Sequence, residues 1–184
     1  MDVILTIYVS GEPSRLLNLL THKAEQPDNN EPCSSKRGSV TRVIGGGARY
    51  ADDKIVQHNS LGTVHIEGFY AQDFGKLYRS CGNGSCGVGR QRHVTVTNVY
   101  AVNPKSLVIV NKNNGDTAKL KNVYIKSSKG SKTKVCVWSQ AVSKGEPKEL
   151  GNGPSGSLCQ YSTRDVIFGA PRLLRETADN ETQA

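Results

Sequence analysis

Lys54, Lys76 and Arg79 fall close together in residues 43–92, a region that otherwise reads as short strands and turns. Lysine brings a compact point charge, and arginine a planar fork that matches a carboxylate. Together they suit a substrate that carries carboxylates. Lys76 and Arg79 stand three positions apart. Strict strand alternation would send them to opposite faces, whereas a bend at Leu77 and Tyr78 turns both outward. Each cation taken alone is a solvated surface charge; their grouping favours a site. Asp52, Asp53 and Asp73 have two uses open to them: holding a cation, or pairing with the neighbouring lysines. His58 and Asn59 read as structural, bonding backbone at a corner. Asn111, Asn113, Asn114 and Asp116 read as turn or ladder residues.

The elements that must position these side chains show a weak internal repeat. The segments TVHIEGFYAQ (63–72), HVTVTNVYAV (93–102) and AKLKNVYIKS (118–127) share one pattern. Ile66, Val96 and Leu120 take one place in it, Phe69, Val99 and Val123 another, and Tyr70, Tyr100 and Tyr124 follow at once. Gly68, Asn98 and Asn122 lie between the apolar positions, where a bend calls for a residue that tolerates positive φ. Strand, bend, strand and loop repeated at such intervals describe stacked coils of a right-handed parallel β-helix. An antiparallel β-sandwich would space its strands similarly; the aligned bend residues favour the solenoid.

Composition agrees with small internal layers and many turns. The chain has 19 Gly, 3 Phe and 1 Trp, with apolar residues at 36%, a poor supply for a thick helical core. A formal net charge of +8 points to an anionic partner. Of five cysteines, Cys81 and Cys86 are close enough to close a small loop, and Cys136 and Cys159 flank a Gly/Pro/Ser-rich excursion. Two disulfides with Cys33 left over imply an oxidising compartment. A metal reading of the cysteines lacks the usual Cys-x-x-Cys or paired-His spacing. The start of the chain has no positive n-region before its short apolar run, and no stretch is long enough to span a membrane. Three parts are expected: a divergent segment and linker over residues 1–37, a β-helix domain over 38–168 and a polar tail over 169–184.

The segments GGGARYADDKIVQHN (45–59), FYAQDFGKLYRSCGN (69–83), RHVTVTNVYAVNP (92–104), NNGDTAKL (113–120) and ELGNGPSGSLCQYSTRDV (149–166) resemble successive coils of the polysaccharide lyase family 3 pectate lyases. The resemblance covers residues 36–166 and is densest over 45–83. It implies a secreted, monomeric β-helix that cleaves de-esterified pectin with Ca²⁺ in plant cell wall degradation. The reaction is β-elimination: the proton on C5 of a galacturonate is removed and the 4-O-glycosidic oxygen is expelled. A cation must neutralise the carboxylate next to C5, and a base must reach the proton. The resemblance carries the catalytic and substrate-binding roles onto Lys54, Lys76 and Arg79, with Arg79 as the base and the lysines as carboxylate clamps.

The same resemblance exposes a departure. A Glu-Asp pair expected to hold Ca²⁺ falls near Asn30 and Glu31, in the text NNEPCSSK. Glu31 keeps its carboxylate, Asn30 is neutral, and Pro32 disfavours a strand. An upstream coil with a further Asp is not recognisable. One Glu is a thin set for a cation that takes six to eight oxygens. The chain reads as a family member truncated or recombined at its N-terminus, with weak or absent turnover. A pectate-binding β-helix that lacks a complete calcium site is the alternative. Two other readings compete. NGSCG (83–87) offers a cysteine-nucleophile loop, but it needs a His base that no motif supplies. Nucleic-acid binding has only the net charge behind it, so neither nucleic acid nor a membrane is expected as partner.

Overall fold

The computed structural model describes residues 5–6 and 39–171. Asn30, Glu31 and Cys33, with the expectations placed on them, and most of the N-terminal segment and C-terminal tail lie outside the described residues. The described chain forms one 12-stranded sheet that winds on itself. Its strands are β1 (Leu5–Thr6), β2 (Val40–Ile44), β3 (Gly47–Arg49), β4 (Lys54–His58), β5 (Gly62–Glu67), β6 (Tyr70–Ser80), β7 (Arg92–Asn111), β8 (Thr117–Lys126), β9 (Lys134–Gln140), β10 (Lys148–Asn152), β11 (Cys159–Gln160) and β12 (Val166–Phe168). Pairing is parallel except for β1 on β4 and β10 on β9.

Register sorts the strands into three stacks. The first runs β2, β5, the start of β7, the start of β8 and β11, with Val43 beside Ile66, Val96 and Leu120. The second runs β3, the start of β6, mid β7, the end of β8 and β12, with Tyr70, Tyr100 and Tyr124 in line. The third runs β4, the end of β6, the end of β7 and β9, with Val56, Tyr78, Val108 and Cys136 in line. These are coils of the expected parallel β-helix, and the sequence repeat is its register. The turn between the first two stacks uses Gly68, Asn98 and Asn122 at φ of 63°, 54° and 53°. A hydrogen bond from Asn122 Nδ2 to Asn98 Oδ1, 2.6 Å, joins two of these turns. Glycine and asparagine tolerate this left-handed backbone where other residues resist it.

The core is one column of small and branched side chains, among them Val64, Val94, Ala71, Ala101, Val99 and Val123. Each large aliphatic residue buried there, such as Ile66 or Leu120, contributes about 1.5–3 kcal/mol. Within the third stack strict alternation breaks in every coil. Ile55 and Val56, Leu77 and Tyr78, Leu107 and Val108, and Val135 and Cys136 are consecutive buried pairs, so each strand turns a corner there. The pair on β6 is the bend expected at Leu77 and Tyr78.

The next corner stacks the connections 59–61, 81–91 and 112–116. The middle one is the longest and carries the Cys81–Cys86 disulfide. The fully buried guanidinium of Arg92 fastens it. Its nitrogens donate to the carbonyls of Asn59, Ser60, Cys81, Cys86 and Arg90, tying two connections into one unit. Such charge-assisted bonds are among the stronger hydrogen bonds in a protein.

Candidate functional site

The corner formed by Leu77 and Tyr78 leaves Lys76 and Arg79 both on the outer side of the coil. Lys76 on β6 lies in register with Lys54 on β4, so parallel stacking alone brings the two ammonium groups together. Both meet Asp53: Lys76 Nζ donates to Oδ1 at 2.5 Å and Lys54 Nζ lies 2.5 Å from Oδ2. The turn holding Asp53 presses on the next coil. A Cβ on Gly75 would stand 2.2 Å from the Asp53 carbonyl oxygen, so glycine is required for this approach. Partial burial acts to raise the pKa of Asp53, but hydrogen bonds and charge from the two lysines outweigh it, and the net shift is downward.

Arg79 extends along the coil stack instead. Its Nη1 donates to Ser139 Oγ at 3.1 Å, on β9 two coils further on. No carboxylate pairs with it among the described residues. Burial lowers its pKa, while the negative charges of Asp116, Asp53 and Glu146 pull the other way. Asp53 therefore lies within electrostatic reach of all three cations. The structure joins Lys54 and Lys76 directly and places Arg79 on the same outer side with a separate anchor.

The remaining sequence candidates divide clearly. Asp53 pairs with lysines, the second of its two expected uses. Asp73 accepts from Gln72 Nε2 and Asn103 Nδ2. His58 is structural and buried; its Nδ1 shares a 2.8 Å hydrogen bond with the Tyr78 hydroxyl, and the Leu61 backbone acts on the ring as well. Burial, followed by the charge of Arg92, pushes its pKa down to about 4. Asn59 Oδ1 accepts from Gln57 Nε2. Asn113 and Asn114 bond backbone across the corner, to Ala141 and Gly87. Cys81 bonds to Cys86 and Cys136 to Cys159, as expected; Cys86 is thus not a free thiol, and the nucleophile reading loses its sulfur. Sequence reasoning missed Arg92, Ser139 and Gly82. Only Arg92 carried a signal, a charge at the head of an otherwise apolar and threonine-rich strand.

With that geometry in place, comparison with known proteins is decisive for kinship. The pectate lyase family pattern matches residues 30–146. The chain belongs to the pectate lyase family. Among curated relatives, a "Probable pectate lyase D" of Neosartorya fischeri is 49% identical over 121 residues, covering 65% of this chain and 48% of that protein. "Pectate lyase E" of Emericella nidulans is 46% identical over 128 residues, 68% of this chain and 47% of that one. The chain spans about half the length of the curated relatives it matches. The catalytic domain of pectate lyase PelI from Erwinia chrysanthemi superposes with a TM-score of 0.64 at 32% identity, over 71% of this chain and 63% of that one. A second structure of PelI is a complex with tetragalacturonic acid, with a TM-score of 0.63 at 33% identity over 71% of this chain and 46% of that one. These pectate lyases share the β-helix.

Glu31, the carboxylate that the resemblance assigns to calcium, lies outside the described residues. Among them, no three His, Cys, Asp or Glu side chains group to hold a metal. Asp53, the carboxylate nearest the lysines, has both oxygens engaged by ammonium groups. Among the described residues, no helix is long and apolar enough to cross a membrane.

Proposed function

We propose that this chain binds polygalacturonate and cleaves it by β-elimination, giving unsaturated oligogalacturonides. The observation that supports this best is the convergence of Lys54 and Lys76 on one half-exposed carboxylate, with Arg79 on the same outer side and, among the described residues, unpaired with any carboxylate. An arriving uronate takes the place of Asp53 between the lysines. Its charge is then held where the enolate-like state develops, and Arg79 faces C5. The C5–H bond breaks, its electron pair forms the C4=C5 double bond, and the C4–O4 bond breaks. Arg79 takes the C5 proton, and solvent protonates the leaving oxygen. A neutral guanidine is a strong base, and partial desolvation of Arg79 favours its formation. Calcium dependence, secretion and a monomeric state are the further properties the family resemblance supports.

Release of unsaturated uronides from polygalacturonate, followed by their absorbance at alkaline pH with added Ca²⁺ and again with chelator, tests the reading. Turnover that falls on the order of 10²–10³-fold in Arg79→Ala is the expected result. Full activity in Arg79→Ala would remove Arg79 as base. Retention of the chain on polygalacturonate gels without product would favour the second reading, a pectate-binding β-helix with an incomplete calcium site.

A further inference from the structure

A guanidinium that acts as a base needs a fixed direction without a fixed charge partner. A carboxylate bonded to it would orient it, but would also hold it protonated. Arg79 is oriented differently. Ser139 Oγ is 3% exposed as a residue and accepts from Arg79 Nη1. The single Ser139 proton has two acceptors in reach, Asn111 Oδ1 at 2.9 Å and the Val110 carbonyl at 3.4 Å, so a lone pair is left facing Arg79. The amide of Asn111 is itself fixed. Its Nδ2 donates to the Cys81 carbonyl at 2.8 Å and lies 3.2 Å from both Ser80 Oγ and Asp116 Oδ2, which turns Oδ1 toward Ser139. At the far end, Asp116 is 1% exposed and accepts from the backbone N–H of Arg92 and Asn111 and from the Ser80 hydroxyl.

Gly82 closes the other side. A Cβ there would stand 2.3 Å from Arg79 Nη2, 2.7 Å from Pro147 Cγ and 3.0 Å from Asn111 Oδ1. The guanidinium therefore lies against a backbone surface that any side chain would fill.

We infer that Ser139, Asn111 and Gly82 form a neutral cradle that positions Arg79, with its direction set through Asn111 by the buried Asp116. Ser139, Asn111 and Gly82 are positioning residues, and the inference rests on the reading of Arg79 as the base. The cradle supplies direction by hydrogen bonds and shape, and keeps the negative charge of Asp116 one amide and one hydroxyl away from the guanidinium. C5 of the substrate then meets a guanidinium that no carboxylate of the described residues holds protonated.

The test combines a spectroscopic and a kinetic arm on the full chain. Side-chain NMR of ¹⁵N- and ¹³C-labelled protein, with Arg79 assigned by its loss in Arg79→Ala, reads the guanidinium directly and needs no turnover. Hindered rotation with distinct Nη signals is expected for the native chain, and averaged signals for Ser139→Ala. In Gly82→Ala the added methyl displaces the group, and its shifts change. In the kinetic arm both variants lose about 10–100-fold in kcat with KM close to native. Unchanged Arg79 signals in both variants would overturn the cradle, whether or not the chain turns over. Moved signals with unchanged kcat, in a chain that Arg79→Ala inactivates, would overturn the positioning role while leaving the base in place. Activity that survives Arg79→Ala would instead count against the base reading, and the spectra would still decide whether Ser139 and Gly82 hold the side chain.

Discussion

Two carboxylates stand behind the cations of this site, and the fold uses them in opposite ways. Asp53 is a surface group, its side chain 56% exposed, with an ammonium on each oxygen. Asp116 is interior, and its hydrogen bonds come from N–H and O–H donors of Ser80, Arg92 and Asn111. Burial raises its pKa even though those donors oppose the shift. Asp53 holds charges that a substrate carboxylate can take over, because an exposed ion pair contributes only a few tenths of a kcal/mol to about 1. Asp116 holds a network that nothing in solvent can replace. The difference separates the mobile half of the site, the lysine clamp, from its rigid half, the arginine.

The sharpest break in that comparison is Asp116→Ala. The substitution leaves the N–H groups of Arg92 and Asn111 and the hydroxyl of Ser80 without their acceptor in the interior, where each unsatisfied group costs about 1–3 kcal/mol. Water entering the corner offsets part of this. A loss of about 3–5 kcal/mol in urea unfolding is expected, and a loss below about 1 kcal/mol would show that the network is not the anchor described.

A second prediction concerns acid. His58 lies below the same corner, and burial, followed by the charge of Arg92, lowers its pKa from 6.5 to about 4. The folded protein keeps it neutral down to about pH 4, while the unfolded chain takes up a proton near 6.5. Its contribution is whole above 6.5 and is lost as pH falls toward 4, amounting to about 3 kcal/mol over that interval. The stability of His58→Gln, followed by urea unfolding across this range, is expected to depend on pH less steeply than that of the native chain. Parallel curves for the two proteins would mean that His58 takes up its proton at the same pH in the folded and the unfolded chain.

The coils were legible because their signal is local and periodic. Ile66, Val96 and Leu120 recur at matching places, and the bends at Gly68, Asn98 and Asn122 mark where the chain must adopt positive φ. The alignment of Lys54 with Lys76 lies in a different stack, outside that repeat, and comes from the structure. The family resemblance, by contrast, supplied the roles of Lys54, Lys76 and Arg79; spacing alone would have left them as surface charges. What could not be read was whatever depends on side-chain direction across coils. Ser139 lies 60 residues from Arg79 and has no motif of its own. Gly82 looked like any turn glycine, and its importance comes from the guanidinium lying against it. Arg92 shows in sequence only as a charge at the head of a strand, because its five acceptors are backbone carbonyls, which leave no mark there. Asp116 was placed among turn and ladder residues. That was correct for its contacts and silent about its depth.

The smallest effect is expected at the exposed carboxylate, and it tests the displaceable half of the site most directly. Asp53→Asn keeps the shape of the side chain and removes the charge shared by the lysines. The stability change at neutral pH should stay within about 1 kcal/mol. The lowered pKa of Asp53 means its stabilising effect is present above the unfolded value of 3.8 and is lost as pH falls through the folded value, so the variant and native chains should converge in strong acid. Binding is the more telling readout. If Asp53 competes with the uronate for Lys54 and Lys76, removing its charge strengthens retention on polygalacturonate by a few-fold at low salt. The gain fades as the Debye length contracts from about 30 Å at 0.01 M to about 3 Å at 1 M ionic strength. Affinity electrophoresis at several salt concentrations measures both. Weaker retention in Asp53→Asn at every salt concentration would show instead that Asp53 holds the lysines in their binding positions. The contrast with Asp116 would then be one of exposure and not of role.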